Sequence, residues 1–168
     1  MWHAENGILR QIASGKPIED VATALCREAE ARFPGLVFVI ARIDRMGLLR
    51  FVSGPSLPTS CVAAIESHAD SPDALACSIA AYVEPPLFFT RIQTDQDWSR
   101  FRDFHCKIGF RAFWSYPCSN ENGAPIGLLG VYVCEAREPS AQEAEFIDRW
   151  RVLCEPALRP PERTEGGR

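Results

Sequence analysis

The stretch Gly109–Cys134 reads GFRAFWSYPCSNENGAPIGLLGVYVC. Two runs rich in aromatic and β-branched residues, Arg111–Cys118 and Ile126–Cys134, flank a polar segment carrying Asn120, Asn122 and Gly123. Asn and Gly tolerate the backbone conformations that a tight reversal requires, so this pattern predicts a β-hairpin. Gly127 and Gly130 interrupt the second run. A glycine contributes no packing inside a strand, so each marks either close backbone approach or space for something else. Alternate residues of a strand face opposite sides. Leu129, Val131 and Val133 make one apolar row suited to packing under helices, with Gly127 on that side. Leu128, Gly130 and Tyr132 make the other row. On the partner strand, Phe113 and Ser115 share one parity, while Trp114 and Tyr116 share the other. Gly130, Tyr132, Phe113 and Ser115 are predicted on one face, where a missing side chain beside two hydroxyls offers room and polar anchors for a small molecule.

Upstream of the hairpin, Ile18, Val21, Ala22, Leu25 and Ala29 follow helical spacing and stop near Phe33, before Pro34-Gly35. Ile8, Leu9 and Ile12 mark a shorter helix ahead of Gly15 and Pro17. Leu36–Ile43 (LVFVIARI) is a nearly unbroken apolar run, which predicts a central strand covered on both faces. Arg45-Met46-Gly47 turns the chain into a second strand, Leu48–Ser53. Short helices are predicted over Thr59–Ser67 and Asp73–Glu84, each with a proline near its first turn, and a short strand over Leu87–Thr90. In Asp97–Ile108, helical spacing puts Trp98, Phe101, Phe104, His105 and Ile108 on one aromatic face. Ser140 and Glu143 have capping-box spacing and open a final helix through Leu158, with Phe146, Ile147, Trp150, Leu153, Cys154 and Leu158 inward. The order predicts an α+β domain over residues 1–158 with an antiparallel sheet, followed by a disordered tail over residues 159–168.

Composition narrows the function classes. The chain has 168 residues, 46% of them hydrophobic, enough for one core. A net charge of −4 with arginines scattered along the chain lacks the basic stripe of a nucleic-acid binder. No apolar run approaches the roughly 20 residues of a membrane span, and the start MWHAENG is not a signal peptide, so a cytoplasmic protein is expected. Of seven cysteines, without a CxxC pair, most read as small buried hydrophobes in a reducing compartment.

Four segments, in order, carry a resemblance: GPSLPTSCVAAI (Gly54–Ile65), PLFFTRIQTDQDW (Pro86–Trp98), GFRAFWSYPC and GAPIGLLGVYV. Together they resemble the GAF domain of bacterial signalling proteins, of the type attached to diguanylate cyclases, cyclic-di-GMP phosphodiesterases and histidine kinases. The resemblance covers roughly Ile8 to Leu158. It implies a GAF-like (PAS/profilin-like) six-stranded antiparallel sheet, with the terminal helices on one face and short helices plus loops enclosing a pocket on the other. It also implies homodimerisation through the N- and C-terminal helices and coupling to an output domain such as a diguanylate cyclase or histidine kinase, either free-standing or within a longer protein.

Departures from the family's pattern bear on the ligand. The Gly-Ser-Cys-Gly turn of many relatives is here Leu75-Ala76-Cys77-Ser78, and an acidic position is here Arg91. The Asn-Lys-Phe-Asp-Glu signature of cyclic-nucleotide binders is absent. His105-Cys106 reverses the Cys-His order of bilin-attaching relatives, and a lone His105 reads as a packing residue rather than a haem or metal ligand. These residues predict a non-catalytic sensor for an unidentified small molecule, bound by Cys77, Trp98, Phe101, Phe104, His105, Phe113, Ser115, Gly130 and Tyr132, with no metal and no cofactor assigned. Two alternatives are a dimerisation module whose pocket is filled by its own aromatics, and a free methionine sulfoxide reductase using Cys77, Cys106 and Cys118.

Overall fold

The hairpin is present and sits at the centre of the domain. The computed structural model of the chain describes residues 2–68, 84–98 and 109–159. Strand β4 (Ala112–Ser119) pairs antiparallel with β5 (Pro125–Val133), in a register that sets Phe113 opposite Tyr132 and Ser115 opposite Gly130. Here β4 and β5 are numbered after the strands that precede them in the chain, β1 (Leu36–Ile43), β2 (Leu49–Ser53) and β3 (Leu87–Phe89). The turn closes as its residue types require. The Asn120 side-chain oxygen accepts from the backbone N–H groups of Asn122 (3.0 Å) and Ala124 (2.9 Å), and Gly123 takes φ +77°.

The sheet order is β2-β1-β5-β4-β3, antiparallel throughout. Among the described residues it has five strands, one fewer than the resemblance implies. Strand β1 lies beside β5 with both faces covered, which is why its sequence is apolar without alternation. Its pairing with β2 begins only at Ile40, and the Phe38 N–H instead donates to the Glu30 carboxylate (3.0 Å). A side chain thus satisfies a backbone donor that the ladder leaves over.

Three helices cover one face: α1 (Trp2–Ala13), α2 (Ile18–Arg32) and, last in the chain, α4 (Ala141–Leu158). Helix α3 (Thr59–His68) lies on the other side of the sheet. Helix α2 packs on β1 and β2, α4 packs on β4 and β5, and α1 rides on both helices. The core between them holds Leu25, Cys26, Phe38, Ile40, Trp114, Leu129, Val131, Ile147, Trp150 and Cys154. Trp150 also donates its indole N–H to the Leu25 carbonyl at 3.0 Å, which locks α4 to α2. The capping box is formed: Ser140 accepts from the Glu143 N–H, and the Glu143 carboxylate accepts from the Ser140 N–H at 2.8 Å. Glu143 is also held by both guanidinium nitrogens of Arg137 (2.7 and 2.9 Å), and that guanidinium lies 5.1 Å from the Trp114 ring centre. The entry of α4 is therefore fixed to the sheet by one arginine.

Gly127 is on the helix side, as its parity predicts. A Cβ there would collide with the Ala41 carbonyl oxygen and sit 3.0 Å from Leu158 Cδ1. The glycine permits close approach of β5 to β1 beneath the last turn of α4. The predicted helix over Asp73–Glu84 falls almost wholly outside the described residues, as does most of that over Asp97–Ile108, whose described beginning lies in the 3-10 turn Gln96–Trp98. Of the predicted tail only Arg159 is described, and it pairs with Glu121 at 2.8 Å.

Two expected outcomes test this arrangement. Gly127→Ala should lower the stability measured by urea unfolding by about 1–3 kcal/mol, the usual cost of forcing atoms into a packed site. Unchanged stability would show that β5 and β1 have slack there. The Arg137 pair and the cap hold the Glu143 carboxyl below its ordinary range. Its contribution is therefore present above the unfolded pKa of about 4.3 and is lost as pH falls through the lower folded value. Glu143→Gln should flatten that acid limb of the stability curve, and an unaltered limb would sink the assignment.

Candidate functional site

The side chains of β5 that point away from the terminal helices are Leu128 and Tyr132, with Gly130 between them. Strand alternation places Val39 and Ala41 of β1, Phe113 of β4 and Phe89 of β3 on the same face. Strand β3 shows the parity directly. Phe88 turns to Tyr116 on the helix side, 5.9 Å between ring centres, while Phe89 turns to Trp98, at 5.6 Å. Helix α3 covers part of this second face with Cys61, Val62 and Ile65, and Leu57, Ile92 and Phe110 close in from the connecting loops.

Its centre is a set of aromatic rings. Trp98 lies 5.2 Å from Phe113 and 6.4 Å from Tyr132, and Phe113 lies 4.8 Å from Tyr132. Phe110 stacks on Tyr132 at 4.8 Å with an interplanar angle of 25°. Such tilted and offset pairs are each worth about 0.5–1.5 kcal/mol beyond their buried area. Trp98 is presented by its 3-10 turn, whose backbone N–H donates to the Asp95 carbonyl at 3.2 Å. Ser115 is fully buried, opposite Gly130 on one side and Leu87 on the other.

Of the residues predicted to bind a ligand, Trp98, Phe113, Ser115, Gly130 and Tyr132 therefore meet on one sheet face. Cys77, Phe101, Phe104 and His105 lie outside the described residues. The space at Gly130 differs from the expectation of an open recess. A Cβ there would sit 2.7 Å from two ring atoms of Phe113 and 2.8 Å from Val39 Cγ2, so the Phe113 ring fills the place of the missing side chain. Sequence reasoning missed Phe110, Phe89 and Cys61 as parts of this face. Phe89 could have been found by extending strand parity to β3. Phe110 precedes its strand, beyond the left-handed Gly109 (φ +98°), where alternation carries no information.

The chemistry available here is apolar and aromatic. Burial pushes the Cys61 thiol up to about 11, which keeps it protonated and poorly nucleophilic near neutrality. Cys118, predicted to lie among the pocket-forming thiols, is on the other side of the sheet. Its sulfur contacts the Arg151 carbonyl of α4 at 3.9 Å. The reason is parity: Cys118 follows Trp114 and Tyr116 in the row facing the helices. Among the described residues, no cluster of His, Cys, Asp or Glu could hold a metal ion.

The contact between Phe113 and Gly130 has a measurable signature. Gly130→Ala should destabilise by about 1–3 kcal/mol through overpacking. Combined with Phe113→Leu, it should cost less than the sum of the two single changes, by roughly 0.5 kcal/mol or more, because the residues share one space. Strict additivity in chemical denaturation would show that they do not.

No protein-family model matches the chain. One curated relative, a methyl sulfide methyltransferase-associated sensor from Methanosarcina acetivorans, is 29% identical over 145 residues. That match covers 86% of this chain but 14% of the relative, so the chain spans only a small part of that protein's length. Among solved structures, a GAF domain/HD domain protein from Geobacter sulfurreducens superposes with a TM-score of 0.67 at 15% identity, over 84% of this chain and 91% of that one. A type II free methionine-R-sulfoxide reductase from Thermoplasma acidophilum superposes with a TM-score of 0.64 at 16% identity, over 84% and 94%. With its helix layer on one sheet face and its aromatic cluster on the other, the chain has the fold of GAF domains.

Proposed function

We propose that this chain is a non-catalytic sensor module of a cytoplasmic signalling pathway, taking a small molecule over the aromatic sheet face and passing the response along its terminal helices. The observation that carries this reading is that β5 belongs to both cores: Gly130 and Tyr132 face the aromatic cluster, while the alternate residues Leu129, Val131 and Val133 pack under α2 and α4. A ligand that moves Tyr132 or Phe113 therefore strains the bed on which α4 lies. It shifts the helices only by its differential affinity for the two packings.

The resemblance to a sensor from Methanosarcina acetivorans supports this reading. So does the position of Cys118 on the helix side of the sheet, which removes one of the three cysteines that a sulfoxide reductase reading would use. Leu9 on α1 and Val152 on α4 are 44% and 54% exposed, and these apolar side chains suit a homodimer formed through the terminal helices. An output domain such as a histidine kinase or diguanylate cyclase would read the altered packing of that dimer.

Two measurements test this together. A thermal-shift screen of nucleotides, amino acids and tetrapyrroles should yield a compound that raises Tm by mass action, with an effect removed by Trp98→Leu. Sedimentation should show a dimer that Leu9→Glu with Val152→Glu converts to monomer, with stability changed by no more than about 0.5 kcal/mol per surface site. Turnover of free methionine sulfoxide, or a wild-type monomer at high concentration, would refute the proposal.

A further inference from the structure

A concave site lies at one end of the helix layer, beside the loop that joins β1 to β2. It is an open groove of about 670 Å³, bounded by the α1–α2 corner, the β1–β2 turn and the last turn of α4. That volume falls within the usual range for small-molecule sites, roughly 300–1,000 Å³. Its floor is apolar: half-buried Ile12 and Ile18 line it together with buried Val21 and Leu158, all four part of the core under the helices.

Its rim is cationic. Lys16, Arg42 and Arg45 line the groove, all three are exposed, and none makes an ion pair with another described residue. A fourth cation, Arg159, is engaged by Glu121 at 2.8 Å. The one acid in the lining, Asp44, is committed to its own turn. It accepts from Arg50 Nε at 2.7 Å and from the backbone N–H groups of Met46 and Leu48, and these contacts hold its carboxyl below the ordinary range. In a chain of net charge −4, three uncommitted cations around one apolar floor form a local charge reversal. Water suits the cations but not the isoleucines, and a purely apolar ligand would leave the cations unused.

We infer that this groove binds a small amphiphilic anion, one with an aliphatic body on Ile12, Ile18 and Leu158 and a carboxylate or phosphate head held by Lys16, Arg42 and Arg45. Because Pro156 and Leu158 of α4 form one wall, the occupant also touches the end of the helix through which the proposed signal leaves. Binding here requires no ligand at the aromatic face.

The test is amide NMR of the whole chain titrated with decanoate and with decyl phosphate, each below its micellar concentration, and with 1-decanol as the uncharged control. Saturable shifts are expected at Ile12, Lys16, Arg42–Arg45 and Leu158, and the preferred anion identifies the head group. Binding of 1-decanol should be at least about tenfold weaker, the equivalent of losing one good charge contact. Arg42→Ala with Arg45→Ala should weaken the anion by about tenfold or more while leaving the thermal unfolding curve in place. Should that pair fail to fold, Lys16→Ala must still weaken the anion. Shifts confined to Trp98 and Tyr132, equal binding of decanol and decanoate, undiminished affinity in the variants, or binding of oligoglutamate without either amphiphile would each overturn the inference.

Discussion

The close approach of β5 to β1 at Gly127 constrains the whole domain. With no Cβ at that position, the Ala41 carbonyl and the Leu158 side chain can both come in over the strand. The same strand pairs along its length with β1 on one side and β4 on the other. From Gly127 to Val133 every residue of β5 is buried. Each of its two rows of side chains must then be covered by something, and the two coverings are chemically different. Aliphatic and thiol side chains of α2 and α4 with the Trp150 ring cover one row, whereas the rings of Phe110, Phe113 and Trp98 gather over the other.

The two faces are also held together by different kinds of contact. The helix side is tied by directional contacts: the Trp150 indole to the Leu25 carbonyl, the Trp114 indole to the Arg137 carbonyl at 2.9 Å, and the two-pronged Arg137–Glu143 pair. Such contacts move as a unit, because breaking one leaves buried polar groups without partners. The aromatic side is held by ring packing among Phe110, Phe113, Tyr132 and Trp98. Strand β5 is shared by the two layers, with one row of side chains in each.

Much of this was legible from local chemistry. The hairpin turn follows from Asn120, Asn122 and Gly123, the start of α4 from Ser140 and Glu143, and the buried strand β1 from its unbroken apolar run. Each rests on residues a few positions apart, and the tertiary structure preserves them. The sides assigned to Gly127 and to Gly130 follow from alternation alone. Cys118 was misplaced although the same alternation locates it, since it shares the row of Trp114 and Tyr116; grouping cysteines by proximity in sequence obscured that.

The sequence by itself determined which residues share a face, because strand period and turn chemistry are local properties. It also indicated that the glycines of β5 mark places where a side chain would be unwelcome. Only the tertiary structure decided what occupies those places: the Ala41 carbonyl and Leu158 at Gly127, the Phe113 ring and Val39 at Gly130. It alone also assembled the cationic groove, whose lining runs from Ile12 to Arg159 along the chain. The physical reason is the same in each case. An unfilled position is a property of its surroundings, and those surroundings come from strands and helices that no local pattern brings together.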